Sequence, residues 1–204
     1  MLSAGVVCAI LAAGRATRYG ASKAALELEG VTFIDRALRA AAAYATVVVA
    51  AAGDAFVMRS AARAGVRIVE NQAPERGMTH SLQLGDRALG DPAAPLAVLL
   101  VDTPLVDADV LNRIAAASKD IDVAFPIAAD GRPGHPVIFG ARARTELAGL
   151  RDGDTLRELR DDARLSRITI AFSDERPFTD VDSEADYERL KAYMRSSRAI
   201  DASL

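Results

Sequence analysis

Phosphate chemistry is what the first part of this chain is equipped for. After an apolar run from Val6 to Leu11, Gly14 and Gly20 remove side chains from the backbone, and Arg15, Arg18 and Lys23 bring three cations into one connection. Glycines let main-chain N–H groups approach an anion, and cations around such groups favour a polyphosphate. Further on, Asp102 ends another apolar run and is a candidate magnesium ligand, because that ion on a nucleotide needs only one or two carboxylates besides phosphate oxygens. Asp180 and Asp182 alternate with Val181, so an extended backbone directs both carboxylates to one side. Gly77 permits close approach at the start of a helix whose free N–H groups suit a base edge or an anion.

Each feature also has a plainer reading. The arginine-bearing loop is equally a solvated surface turn, Asp102-Thr103-Pro104 a strand-ending turn, and Asp182 a helix cap. The Gly77 segment doubles as an ordinary helix start, with His80 facing solvent. Two familiar phosphate motifs fail on spacing. A P-loop places Lys directly after its second Gly, whereas Gly20 leads into Ala21-Ser22-Lys23, and the dinucleotide fingerprint needs a third glycine. With only two histidines in the chain, no His-based metal site can be built, which leaves His135 as a candidate hydrogen-bond donor to substrate.

Periodicity predicts the elements that hold these groups. Val6–Leu11, Thr46–Ala51, Val66–Val69 and Leu96–Val101 read as buried strands. Helical spacing runs through Phe33, Ile34, Ala37, Leu38 and Ala41, from Gly53-Asp54 toward Ala64, and over Met78–Leu89. Strand alternating with helix predicts an α/β domain with a mostly parallel sheet. In the second half, Val123–Ala128 and Val137–Phe139 flank a Gly- and Pro-rich turn and predict an antiparallel addition over the sheet. Two short helices, a strand at Ile168–Phe172 and a last helix capped by Asp182 or Ser183 complete a single domain over 1–196, with fraying over 197–204. Ligands of such sheets bind beyond the carboxyl ends of the strands, where Gly14 and Asp102 both fall.

In order, Leu11-Ala12-Ala13-Gly14, Arg18, Gly20 and Lys23 resemble the opening of nucleotidyltransferases, which couple a nucleoside triphosphate to a phosphorylated acceptor and release pyrophosphate. The Leu-Ala-Ala-Gly form is similar to the molybdenum cofactor cytidylyltransferase group of the MobA-like nucleotidyltransferase family. Asn71 with Gly77–Leu82, the Asp102 turn, Gly131–Val137, Asp152-Gly153-Asp154 and Asp180–Tyr187 resemble later blocks of that group in the same order. Thr155-Leu156 stands where the group carries Gly-Ala.

That resemblance implies a three-layer, Rossmann-like fold of the nucleotide-diphospho-sugar transferase type. It implies catalytic roles for Arg18, Lys23 and Asp102, and Mg²⁺ held by Asp102, Asp180 and Asp182. The nucleotide would lie against Leu11, Ala12, Ala13, Gly14 and Gly20, with Asn71, Gly77 and Ser81 on its other side. Gly134, His135 and Asp154 would face the acceptor. The implied reaction moves CMP from CTP to molybdopterin, the product passing to a molybdenum enzyme. Guanylyl transfer, and transfer to a sugar or alcohol phosphate, are served by the same fold. A nucleotide-binding partner of a molybdenum enzyme without turnover is a further alternative, motivated by Asp154-Thr155-Leu156.

Composition narrows the classes. At 204 residues with 50% hydrophobic and 26% charged side chains, the chain suits one sizeable globular domain. A net charge of -3 and a pI of about 5.5 argue against nucleic acid as a partner. Cys8 is the only cysteine and reads as an inert core thiol. No basic residue precedes the apolar start and no segment reaches transmembrane length, so a cytoplasmic protein with no membrane partner is expected.

Overall fold

The computed structural model describes residues 5–14, 22–151 and 153–201. In chain order its elements are β1 (Val7–Ala12), β2 (Glu27–Leu28), β3 (Val31–Thr32), α1 (Phe33–Ala40), β4 (Ala45–Ala51), α2 (Ala55–Arg63), β5 (Arg67–Asn71) and α3 (Gly77–Leu89). They continue with β6 (Leu96–Leu100), α4 (Ala108–Ala117), β7 (Val123–Ile127), β8 (Val137–Phe139), α5 (Ala141–Gly149), α6 (Leu156–Asp161), β9 (Arg167–Ala171) and α7 (Glu184–Asp201).

Buried apolar runs make the centre of the sheet. Cys8, Ile10 and Ala12 of β1 enter one core while Val7, Ala9 and Leu11 enter the other, which is why β1 is apolar at every position instead of alternating. Seven strands lie in the order β5-β4-β1-β6-β8-β7-β9. Parallel pairing joins β5 to β4, β4 to β1, β1 to β6 and β7 to β9, and β8 alone runs against its neighbours. Residues of α1, α2, α4 and α7 pack on one face and those of α3, α5 and α6 on the other, so the predicted three-layer arrangement is present. Burial raises the Cys8 thiol pKa to about 12, leaving it inert.

Local signals start the helices. Thr32, Asp54 and Asp107 each accept a hydrogen bond from the backbone N–H three residues on, at 3.2, 3.1 and 3.0 Å, satisfying donors that the first helical turn leaves unpaired. Two features depart from expectation. The β7–β8 pair does not lie over the sheet: β8 is inserted into it, between β6 and β7. The antiparallel addition outside the main sheet is instead β2–β3, a short hairpin after Lys23. The last helix runs over Glu184–Asp201. Among the described residues no helix is long and apolar enough to cross a membrane.

One buried charge ties the second face together. Arg144 on α5, with 3% of its side chain exposed, lies 2.6 Å from Asp86 of α3 and donates to the carbonyls of Asp91 and Ala94. Removing one partner of a buried pair leaves the other charge uncompensated, at about 3–5 kcal/mol. Arg144→Met is therefore expected to lower Tm by roughly 10 °C. A calorimetric shift under about 2 °C would contradict the structural role given to this pair.

Candidate active site

Strands β1 and β6 are in register at Leu11 and Leu100, so the chain leaving each enters the same space. A cleft of about 250 Å³ opens there. Leu11, Ala12, Ala13 and Gly14 form one side, Lys23 and Asp102 the floor, and Gly77 and Ser81 of α3 the far side. Arg18 and Gly20 lie outside the described residues.

At the bottom of the cleft, among the described residues, Lys23 faces two carboxylates. Lys23 Nζ is 2.7 Å from Asp182 Oδ1 and 3.7 Å from Asp102 Oδ2. The other Asp102 oxygen, Oδ1, is buried with no hydrogen-bond partner among the described residues. Burial raises the Asp102 pKa; the Lys23 ammonium opposes the rise, while the carboxylates of Asp182 and Asp180 add to it. A buried carboxylate oxygen without a donor costs stability unless a ligand completes it, and a divalent cation is the group that suits an acceptor-only oxygen beside further carboxylates. The described residues contain no ready-made cluster of three metal-ligating side chains.

The third carboxylate segment is held by backbone. Val181 N–H donates to the Asp102 carbonyl at 2.9 Å, and its side chain is fully buried. Asp180 and Asp182, on either side, are exposed. Asp182 does not cap α7: Ser183 Oγ accepts from Asp186 N–H at 3.3 Å, and the Asp186 carboxylate accepts in return from Ser183 N–H at 2.7 Å, a capping-box pattern. Released from that duty, Asp182 reaches Lys23. Tyr187 bonds the Glu27 carbonyl and packs edge-on against Phe33 at 6.0 Å, docking α7 beside the hairpin that follows Lys23.

Asn71 and Ser81 act as a pair. Asn71 is fully buried and does not line the cleft; it donates to Ser81 Oγ at 2.9 Å and accepts from Ala73 N–H at 2.9 Å. It therefore holds the turn in front of α3 instead of facing a ligand. Gly77, at φ 92°, takes a conformation that a side chain would disfavour, and no side chain caps the helix start. His80 is buried, not solvent-facing as expected, because its side of α3 packs inward.

A second cavity of about 450 Å³ adjoins the first along Gly77 and Met78. His135 and Asp154 line it. Burial and the nearby Arg160 charge lower the His135 pKa to about 4, so the imidazole is neutral at neutral pH, and its buried Nδ1 has no partner among the described residues. Asp154 is turned into its own loop, accepting from Arg151 N–H at 2.7 Å. Arg76, Arg157 and Arg160 also line this cavity; sequence gave no sign of them, since single arginines beside short elements look like solvated surface.

Gly134 lies beneath that cavity, not on its wall. A Cβ there would stand 2.3 Å from the Pro177 carbonyl and 2.5 Å from Phe178, and the next residue's N–H, that of His135, donates to the same Pro177 carbonyl at 2.7 Å. Three residues beyond Pro177 comes Asp180. The loop carrying His135 is thus strapped to the segment carrying the carboxylates.

A doubly covered, mainly parallel sheet with a lysine and carboxylates at the carboxyl ends of its central strands defines a Rossmann-like nucleotidyltransferase. A family model for the MobA-like NTP transferase domain matches residues 8–168, and the chain belongs to that family. No curated protein matches significantly. The structure is similar to Rv0371c from Mycobacterium tuberculosis, with 26% identity and a TM-score of 0.79 over 92% of this chain and 98% of that one. A manganese complex of the same Mycobacterium tuberculosis protein aligns at 25% identity and TM-score 0.77, covering 92% and 98%. A nucleotidyl transferase from Methanothermobacter thermautotrophicus shares the fold at 24% identity and TM-score 0.77, covering 96% and 100%.

Two variants test the site. Because the folded protein binds a proton at Asp102 more tightly than the unfolded chain, this group lowers stability increasingly as pH rises through its raised pKa. Asp102→Asn is expected to have a Tm at or above the parent's, with the advantage larger at neutral than at acid pH, read by calorimetry across that range. A lower Tm at every pH would contradict the account of a strained carboxylate. Gly134→Ala is expected to cost about 1–3 kcal/mol of stability, read by denaturant unfolding; an unchanged midpoint would contradict the close packing of this glycine on Pro177 and Phe178.

Proposed function

We propose that the protein transfers CMP from CTP to molybdopterin with release of pyrophosphate. The observation that carries this reading is the Lys23 ammonium set between Asp102 and Asp182, with Asp102 Oδ1 unpartnered, at the joined ends of β1 and β6. The Leu11-Ala12-Ala13-Gly14 opening supports CTP as donor, and the adjoining cavity with His135 supports an acceptor bound alongside the nucleotide.

Asp102, Asp182 and Asp180 are the residues that would hold a divalent ion, Mg²⁺ by the family resemblance; the manganese complex of the Mycobacterium tuberculosis protein supports a divalent metal. Bound there, the ion would neutralise triphosphate charge. The chain's own groups do the positioning. Leu11 to Gly14 and the start of α3 would enclose the nucleoside, and Lys23 would exchange its carboxylate partners for phosphate oxygens. A phosphate monoester has a second pKa of about 6 and is already largely a dianion at neutral pH, so no general base is required. Its oxygen attacks the α-phosphorus in line, the bond from that phosphorus to the bridging oxygen breaks, and pyrophosphate leaves with the electron pair.

The test is pyrophosphate release from CTP, GTP, ATP and UTP with Mg²⁺, with and without molybdopterin. Release confined to CTP plus molybdopterin is expected. Turnover with a different nucleotide or a sugar phosphate would reassign the substrates, and nucleotide binding without release from any mixture would favour a non-catalytic binding protein. Lys23→Ala is expected to reduce turnover by roughly 10²- to 10³-fold, the scale for losing one electrostatic contact to the transition state. Parent-like turnover in that variant would remove Lys23 from the mechanism.

A further inference from the structure

Another cavity, of about 540 Å³, shares no lining residue with the cleft or with the cavity that adjoins it. Its volume suits a small organic ligand. Val31, Pro104, Leu105 and Met194 offer apolar surface, and Arg36, Arg39 and Arg176 bring positive charge.

The three arginines are not equivalent. Arg176 is saturated, lying 2.8 Å from Asp107, 2.9 Å from Asp174 and 3.4 Å from Asp109. Arg36 is 3.6 Å from Glu29 and donates to the Leu28 carbonyl at 2.7 Å, yet its Nε is buried with no partner among the described residues. Arg39, one helical turn further along α1, is exposed, and its side chain makes no hydrogen bond or ion pair among the described residues. Burial lowers the Arg36 pKa, Glu29 opposes the fall, and the Arg39 charge adds to it. Like charges at this spacing on one helix repel. An oxyanion shared by the two would remove that repulsion and give the orphan Nε–H an acceptor.

Charge balance selects the kind of oxyanion. Glu29 offsets Arg36, and the carboxylates around Arg176 outnumber it, which leaves Arg39 as the surplus cation. One negative charge therefore suits this wall, whereas a dianion would also face Asp107, which lines the same cavity. The apolar remainder rewards an apolar body, at about 25 cal/mol for each Å² removed from water. A carboxylate on such a body fits better than a phosphate monoester.

The cavity is also built from continuations of the segments that carry the cleft's charges. Val31 belongs to the hairpin after Lys23, Pro104 and Leu105 follow Asp102 closely, and Met194 stands on α7, whose first turn adjoins Asp182. A ligand touching all three restrains them together. Ordering them in advance spares a nucleotide that cost.

We propose that this cavity is a second ligand site, taking a carboxylate on an apolar body held by Arg39 and Arg36, and that its occupancy tightens nucleotide binding in the cleft. Only the last clause rests on the nucleotidyltransferase reading.

The test titrates the full chain calorimetrically with hydrocinnamate, hydrocinnamyl alcohol, hydrocinnamyl phosphate or acetate. Hydrocinnamate is expected to bind about tenfold more tightly than the alcohol, the scale of a hydrogen bond to a charged group, and more tightly than the phosphate, with acetate weakest. Arg39→Gln should weaken hydrocinnamate by roughly tenfold and Arg39→Lys by less. Arg59→Gln, which removes an exposed charge outside the cavity, should leave it at the parent value. With Mg²⁺, saturating hydrocinnamate is expected to lower the Kd for CTP by about fivefold, the small end of coupling between sites. Arg39→Gln should abolish that gain without changing the Kd for CTP alone. Absent binding of hydrocinnamate, equal binding of the alcohol, tighter binding of the phosphate, parent-like affinity in Arg39→Gln, or a Kd for CTP indifferent to hydrocinnamate would each overturn the proposal. Failure of CTP to bind in any mixture would instead overturn the nucleotidyltransferase reading.

Discussion

A carboxylate that the fold does not fully solvate or pair is the constraint on which the site depends. Strand β6 delivers Asp102 into a half-buried position where one oxygen has no donor among the described residues, and the Lys23 ammonium beside it is shared with Asp182. Such an arrangement is unfavourable in isolation and persists because surrounding structure over-determines it. The determinants are ordinary ones: continuous burial of β1 and β6, the Val181 backbone bond to Asp102, and a helix cap supplied by Ser183 and Asp186, not by Asp182. Each holds for reasons of packing or hydrogen bonding, and together they keep charge concentrated where a metal and a triphosphate would relieve it.

The second organising feature is the insertion of β8 into the sheet. Because β8 runs against β6, its entry loop lies at the same end as the carboxyl terminus of β6, and residues 134–135 arrive beside the cleft from the other side. The close packing of Gly134 on Pro177 and Phe178 then joins that loop to the carboxylate segment. The two adjoining cavities are thus framed by one connected set of loops, not by independent ones.

Much of this was legible in sequence because it follows from local rules. The apolar runs at Val6–Leu11 and Leu96–Val101 lie within a residue of β1 and β6, and alternation about Val181 does put Asp180 and Asp182 on the exposed side. Helix α4 has a weak sequence signal although Asp107 caps it and Val110, Leu111 and Ile114 are buried; its alanine-rich remainder blurs the amphipathic contrast. Strand order is not a local property, so the placement of β8 inside the sheet had no readable signal. Nor had the burial of His80 and Asn71, polar residues whose burial depends on partners brought by tertiary packing. Gly134 stands out in sequence through its neighbours' motif, whereas its own reason is steric contact with a segment more than forty residues away.

The bond between Lys23 and Asp182 spans 159 positions, nearly the length of the chain. During synthesis the sheet's central strands emerge early, but the carboxylates of 180–182 and the helix that docks them come near the end. Closing so long a loop carries an entropic cost that earlier contacts must already have offset. A nascent chain therefore presents Lys23 well before the carboxylate that pairs with it exists, and the ion pair closes late in maturation.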